Sequence, residues 1–196
     1  YSDNIRSFTL NEIEITQGEL IDLGLSVKWM SYNLGAYSIT DYGKLYPWGS
    51  IYNVESINSN DEYPAFKNIS GTGYDAAWNE LGTFFRIPTQ EEWNELNEKC
   101  QKEWITYHER NGYKITGPNG NSIFLPADGW INYAHHTDVD LKGYYRIGTQ
   151  TTIDDAYSIV FDEKYYHERL STNPQWAISI RPVYDNTIYC ETGTAK

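Results

Sequence analysis

The chain has 196 residues, 40% of them hydrophobic and 21% charged, with a net charge of −12. That is the size and balance of one large globular domain. The acidity argues against nucleic acid and an anionic membrane surface as partners, and no apolar run is long enough to span a bilayer.

The first 20 residues stand apart. Phe8-Thr9-Leu10-Asn11-Glu12-Ile13-Glu14-Ile15 reads as a strand, alternating at Ile13 and Ile15. It is either a linker from an upstream anchor or domain or an added edge strand. The chain starts at Tyr1 rather than Met and reads as a mature or trimmed product. Asp22–Trp29 reads as two short strands joined at Gly24. Residues 35–73 are rich in Gly, Ser, Asn, Asp and Tyr and lack a period, which predicts loop around a short ordered piece at Tyr46-Pro47-Trp48-Gly49.

Two helices follow. Tyr74, Ala77, Trp78 and Leu81 make one apolar face, with Gly82 placed to end the helix. The second starts at Thr89 with Glu92 three positions on, a capping-box pattern, and Trp93, Leu96 and Cys100 share a face. Then the pattern turns to β. Tyr113 and Ile115 alternate with polar residues, Gly117–Asn121 supplies a reversal, and Ser122–Leu125 returns. Tyr157, Ile159 and Phe161 alternate, as do Trp176, Ile178 and Ile180, around a long loop at 163–174. The whole predicts an α+β architecture, two helices packed on short antiparallel sheets with long loops. Residues 21–184 form the domain, 1–20 the linker or added strand, and 185–196 a C-terminal tail.

Cys100 and Cys190 fit no metal or redox spacing. A Cys100–Cys190 disulfide is compatible with an exported chain; the alternative is a core Cys100 and a tail Cys190. His135-His136 with Asp138 and Asp140 raises a transition-metal site, but adjacent side chains diverge on a strand, which favours solvated loop polarity. There is no His-Glu-x-x-His, no Gly-x-Ser-x-Gly elbow and no phosphate-cradling loop. No cofactor, metal site or catalytic residue is expected.

The motifs of Asp22–Trp29, Asn33-Leu34-Gly35-Ala36, Tyr42-Gly43, Tyr46–Gly49, Tyr74–Ala77, Arg86-Ile87-Pro88-Thr89, Glu92-Trp93, Gly112–Ala127 and Ser179–Val183 occur in order. Together they resemble the Fibrobacter-type major paralogous domain (FISUMP) family, abundant in surface proteins of gut-dwelling bacteria. The resemblance spans residues 21–184. It implies a C-type-lectin-like fold in the variant shared with formylglycine-generating enzymes. It also implies export to the cell surface, or anchoring at the outer membrane, as a lipoprotein or pilus-tip-like adhesin. The chain departs from the family pattern where Arg146-Ile147-Gly148-Thr149 follows Gly143-Tyr144-Tyr145 in place of Trp-Ser-Ser, and at Arg169–Pro174, where a short turn is usual. The Glu-Pro-Asn and Trp-Asn-Asp motifs of calcium-dependent lectins are missing, as is the cysteine pair of formylglycine-generating enzymes.

With 18 Tyr and 7 Trp, the chain holds more aromatics than a core alone needs. Such side chains give contact area at low rotamer cost. The richest cluster is Trp130, Asn132, Tyr133, His135, His136 and Asp138, then Tyr144, Tyr145 and Arg146, then Tyr165, Tyr166, His167 and Arg169. From it, Trp130, Tyr133, His136, Asp138, Tyr145, Arg146, Tyr165, Tyr166 and His167 are the expected ligand contacts. Trp130, Tyr144 and Tyr145 have core packing as their alternative. The expected partner is a glycan or a host or bacterial surface protein, bound without catalysis. The competing expectations are a structural pilus subunit or spacer and, against the missing cysteines, an enzyme of the formylglycine-generating lineage.

Overall fold

A computed structural model describes residues 19–53, 68–132, 135–152 and 155–185, with the side chains of residues 150–152 and Arg169 left aside. The expected strand at Phe8–Ile15, the site residue Tyr133 and Cys190 lie outside the described residues. The described fold is mixed: two helices and several small antiparallel sheets.

Strands β1 (Leu20–Ile21) and β2 (Lys28–Met30) pair antiparallel. Of the two strands read at Asp22–Trp29, only Lys28–Trp29 falls in a strand, β2; β1 lies before that stretch, and residues 24–27 form a bend, with Gly24 at φ +75°. Helix α1 (Ala76–Leu81) is capped by Asp75, whose carboxylate accepts from the Ala77 and Trp78 N–H groups, and it stops at Gly82, φ +95°. Tyr74 therefore stands outside the helix assigned to it. Strand β3 (Phe85–Arg86) leads to α2 (Gln90–Lys99). Thr89 and Glu92 close the capping box there as read, and the buried face carries Trp93 and Leu96. Burial of each of those two side chains stabilises the fold by about 1.5–3 kcal/mol.

Next come β4 (Gln101–Tyr107), β5 (Arg110–Thr116) and β6 (Ser122–Pro126), paired in that order. The β5–β6 hairpin is the one read from sequence; β4 is an addition. Its turn into β5 is His108–Glu109, both at positive φ (45° and 67°), the backbone of a two-residue hairpin turn without glycine. A short hairpin, β7 (Trp130–Asn132) and β8 (His135–Thr137), precedes β9 (Gly143–Thr152), β10 (Asp155–Phe161) and β11 (Tyr166–Thr172). The last three form one sheet, β11-β10-β9. This corrects the long loop expected at 163–174: most of it is β11, joined to β10 by a tight turn at Asp162–Tyr165. It also corrects the partner of Tyr157–Phe161, because Ala177, Ile178 and Ser179 make isolated bridges to Ile131, Tyr46 and Tyr145 instead. Strand β12 (Val183–Tyr184) lies between β2 and β3 in a four-stranded sheet, β1-β2-β12-β3.

The core has two main layers, one on each face of β9–β11. Ile159 and Phe161 of β10 and Tyr145 and Ile147 of β9 pack with Trp29, Trp93, Leu96, Tyr113 and Leu125. On the other face, Ala156 packs with Tyr46, Trp48, Ile69, Ile87 and the α1 alanines, and Val160 with Tyr144 and Ile178. Because both faces of this sheet are covered, neither side of β9 is left for solvent along Tyr144–Ile147.

Candidate functional site

The β7–β8 hairpin organises the surface. Its register sets Ile131 opposite His136 and Trp130 opposite Thr137. Side chains alternate across a strand, so Ile131 and His136 share one face and Trp130 takes the other.

On the His136 face lies a cleft of about 240 Å³, lined by Asp41, Tyr42, Lys44, Asn53, Ile131 and His136. The His136 Nε2 lies 2.7 Å from the Asp128 carbonyl oxygen. A carbonyl only accepts, so Nε2 carries the proton and Nδ1 is an acceptor in the neutral ring. Tyr42 meets His136 edge to face at 6.4 Å. Its hydroxyl donates to Asp140 Oδ1 at 2.7 Å and accepts from Arg110 Nη1 at 2.8 Å, while the guanidinium covers the Tyr42 ring at 4.5 Å. Arg110 also reaches Asp140 Oδ2 at 2.9 Å. Burial, then the Asp140 carboxylate, raise the Tyr42 phenol well above its usual value, so it stays protonated. The Asp41 carboxylate holds its own loop, accepting from the Tyr37 and Gly43 N–H groups at 3.0 and 3.1 Å.

On the opposite face, Trp130 stacks on Trp176 with ring centroids 4.0 Å apart and planes 21° apart. Both indoles are half-buried. Asp138 fixes this group: its Oδ2 accepts from Trp130 Nε1 at 3.3 Å and from the Tyr144 hydroxyl at 2.9 Å. The register Tyr144↔Val160↔His167 continues the same face across β9, β10 and β11. Two strand spacings put His167 about 10 Å from Tyr144. Tyr165 and His167 lie exposed and near-parallel, 6.3 Å apart.

The expected contacts thus divide. Trp130, His136, Tyr165 and His167 reach the surface, at the end of the sheet where Gly143, Phe161 and Tyr166 align. Asp138 supports Trp130 and Tyr144. Tyr166 is half-buried and stacks on Phe161 at 5.6 Å, a packing position at the margin of the core. Tyr145 and Arg146 are corrections, at 0% and 1% exposure. Tyr145 lies flat against Phe161 and donates to the Pro126 carbonyl, and Arg146 Nη2 donates to the Trp176 carbonyl at 2.7 Å. Both hold the site from beneath rather than face a ligand. The residues that sequence reasoning missed are Tyr42, Lys44, Asn53 and Trp176. Tyr42 and Trp176 were visible only as motif or strand residues, and Lys44 and Asn53 carried no signal.

Among the described residues, no group of three or more His, Cys, Asp and Glu side chains is placed to hold a metal ion. His135 and His136 leave opposite faces of β8. Among the described residues, no helix is long and apolar enough to cross a membrane. Comparison with family models, curated proteins and solved structures finds no match to this chain.

Proposed function

We propose that this chain is an exported, surface-displayed binding domain without enzymatic activity that holds a glycan at the β7–β8 hairpin. In this reading it belongs to the Fibrobacter-type major paralogous family, with that family's C-type-lectin-like fold. The observation that carries the binding site is one hairpin with two complementary faces: a polar cleft against Tyr42 and His136, and a stacked indole pair at Trp130 and Trp176. The cleft, at about 240 Å³, is smaller than the roughly 300–1,000 Å³ of sites for drug-sized ligands, so it suits one sugar ring or side chain. The indole face offers a planar surface for the apolar side of one sugar ring, and the cleft on the other face of the hairpin offers hydrogen-bonding groups for another.

A glycan array followed by calorimetry tests it. His136→Ala and Trp176→Ala are expected to weaken binding at least tenfold, about 1.4 kcal/mol. Loss with Tyr165→Ala alone would move the site to the β10–β11 turn. An array without a bound glycan, beside capture of a surface protein sensitive to the same substitutions, would overturn the glycan reading.

A further inference from the structure

The stacked indoles are one of two aromatic platforms on the same face. Trp130 and Trp176 form the first, and Trp176 meets the Tyr144 ring edge to face at 6.5 Å. From Tyr144 the face runs across β10 at Val160 to His167 on β11, because directly opposed residues of neighbouring strands point the same way. There Tyr165 lies beside His167, with rings 6.3 Å apart and planes 20° apart, as the second platform. The step from Tyr144 to His167 is two strand spacings, about 10 Å. That is longer than one pyranose ring and suits a short chain of them.

The core does not use the second platform. Tyr165 is 61% exposed and His167 is exposed, whereas Tyr166 between them turns inward and stacks on Phe161. The backbone beneath is fixed all the same. Asp162 Oδ1 accepts from the Lys164 and Tyr165 N–H groups at 2.8 and 2.9 Å, and the Asp162 N–H donates to the Tyr165 carbonyl at 2.8 Å. An exposed aromatic on a hydrogen-bonded turn loses little freedom when a ligand covers it. The ground between the platforms is acidic: burial, then the Asp138 and Asp162 carboxylates, raise the Tyr144 phenol, so both carboxylates stand close to it. Carboxylates accept hydrogen bonds from sugar hydroxyls and repel anions. An uncharged chain fits this ground, and a uronate or sulfated chain does not.

We propose that this face binds a linear, uncharged oligosaccharide, with one ring on the Trp130–Trp176 indoles and a later ring of the same chain on Tyr165 and His167. The inference rests on the glycan reading above and names its class: a chain of several rings rather than a lone terminal sugar.

Calorimetry with disaccharides, tetrasaccharides and hexasaccharides of the neutral gluco-, manno- and N-acetylglucosamine series tests it, beside a polyuronate of matching length. In the series that binds, affinity is expected to rise about tenfold from disaccharide to tetrasaccharide and then to level off. Tyr165→Ala with His167→Ala is expected to remove that rise and to leave disaccharide binding unchanged. Both side chains are exposed, so the fold survives their loss. Trp176→Ala is expected to weaken every length. Disaccharide binding that needs Trp176 but gains nothing with length would sink this inference and leave the hairpin site standing. A gain that survives the Tyr165/His167 change, or tighter binding of the polyuronate, would sink it too. A protein that binds no sugar of any length overturns the glycan reading and this inference together.

Discussion

Asp128 is fully buried, and both of its carboxylate oxygens and its backbone carbonyl are hydrogen-bonded. Its Oδ1 accepts from the Tyr144 N–H at 3.1 Å and its Oδ2 from Asn33 Nδ2 at 3.3 Å, while its backbone carbonyl orients His136. One residue thus positions both faces of the candidate site. Burial pushes its carboxyl up to about 8, against the downward pull of Ser179, the Tyr144 N–H and the Arg181 charge. In the unfolded chain the same group titrates near 3.9. Between those values the folded state binds the extra proton, so stability falls as pH rises and levels off above the folded value. Asp75, pushed up to about 6 by burial against four backbone N–H donors, adds the same sign over the lower part of that window. The stretch from pH 6 to 8 therefore belongs to Asp128. Urea midpoints are expected to fall across it in the unaltered chain and to stay level with Asp128→Asn; an equally steep fall in the variant would refute the assignment.

At the scale of elements, the loop carrying Tyr42 depends on Gly43. Its φ of +72° is strained for other residues, and a Cβ there would meet the Leu34 carbonyl oxygen at 2.4 Å. Gly43→Ala is expected to destabilise the fold by more than the roughly 1 kcal/mol of strain alone and, under the proposed function, to weaken glycan binding by shifting Tyr42 and Lys44. Paired unfolding and binding measurements check both, and unchanged binding would separate this loop from the site. The sequence signals of the two helices show why such a loop was not legible. Helix α2 was readable because Thr89, Glu92, Trp93 and Leu96 act within three turns of one another. Strand β4 was not, because His108–Glu109 makes its turn without glycine, and Asn111-Gly112, an ordinary turn signal, lies inside β5. Strand β11 was hidden by its polarity, at an edge, with a register shift against β10. Tyr145 and Arg146 misled for the opposite reason: a Tyr-Arg pair suggests at least one wet face, and both faces of β9 are covered. The cleft joins residues 41–53 to 131–136, a separation no local pattern records.

For the whole molecule, the last described residues tie every part together. Val183, fully buried, pairs with Trp29 on one side and Arg86 on the other. Just before it, the chain bridges Tyr46 at Ile178, Ile131 at Ala177 and Tyr145 at Ser179. Arg181, also fully buried, donates to the carbonyls of Met30, Ser31 and Phe124 and to Asn33 Oδ1. The sheet around β12, the β4–β6 sheet and the β7–β8 hairpin therefore lean on one stretch of about ten residues, between Pro174 and Val183. If they fold as one unit, Val183→Asp, which buries an unpaired charge at a cost of several kcal/mol, removes all of them together. Near-ultraviolet dichroism of the tryptophans and amide exchange in the β5–β6 hairpin are expected to be lost at the same denaturant concentration in the unaltered chain, and both to be absent in the variant. A hairpin that kept its protection after the Trp signal vanished would show that β4–β6 folds without the C-terminal stretch. The candidate site, hung between Ile131 and Ala177, would then rest on the weaker of two units.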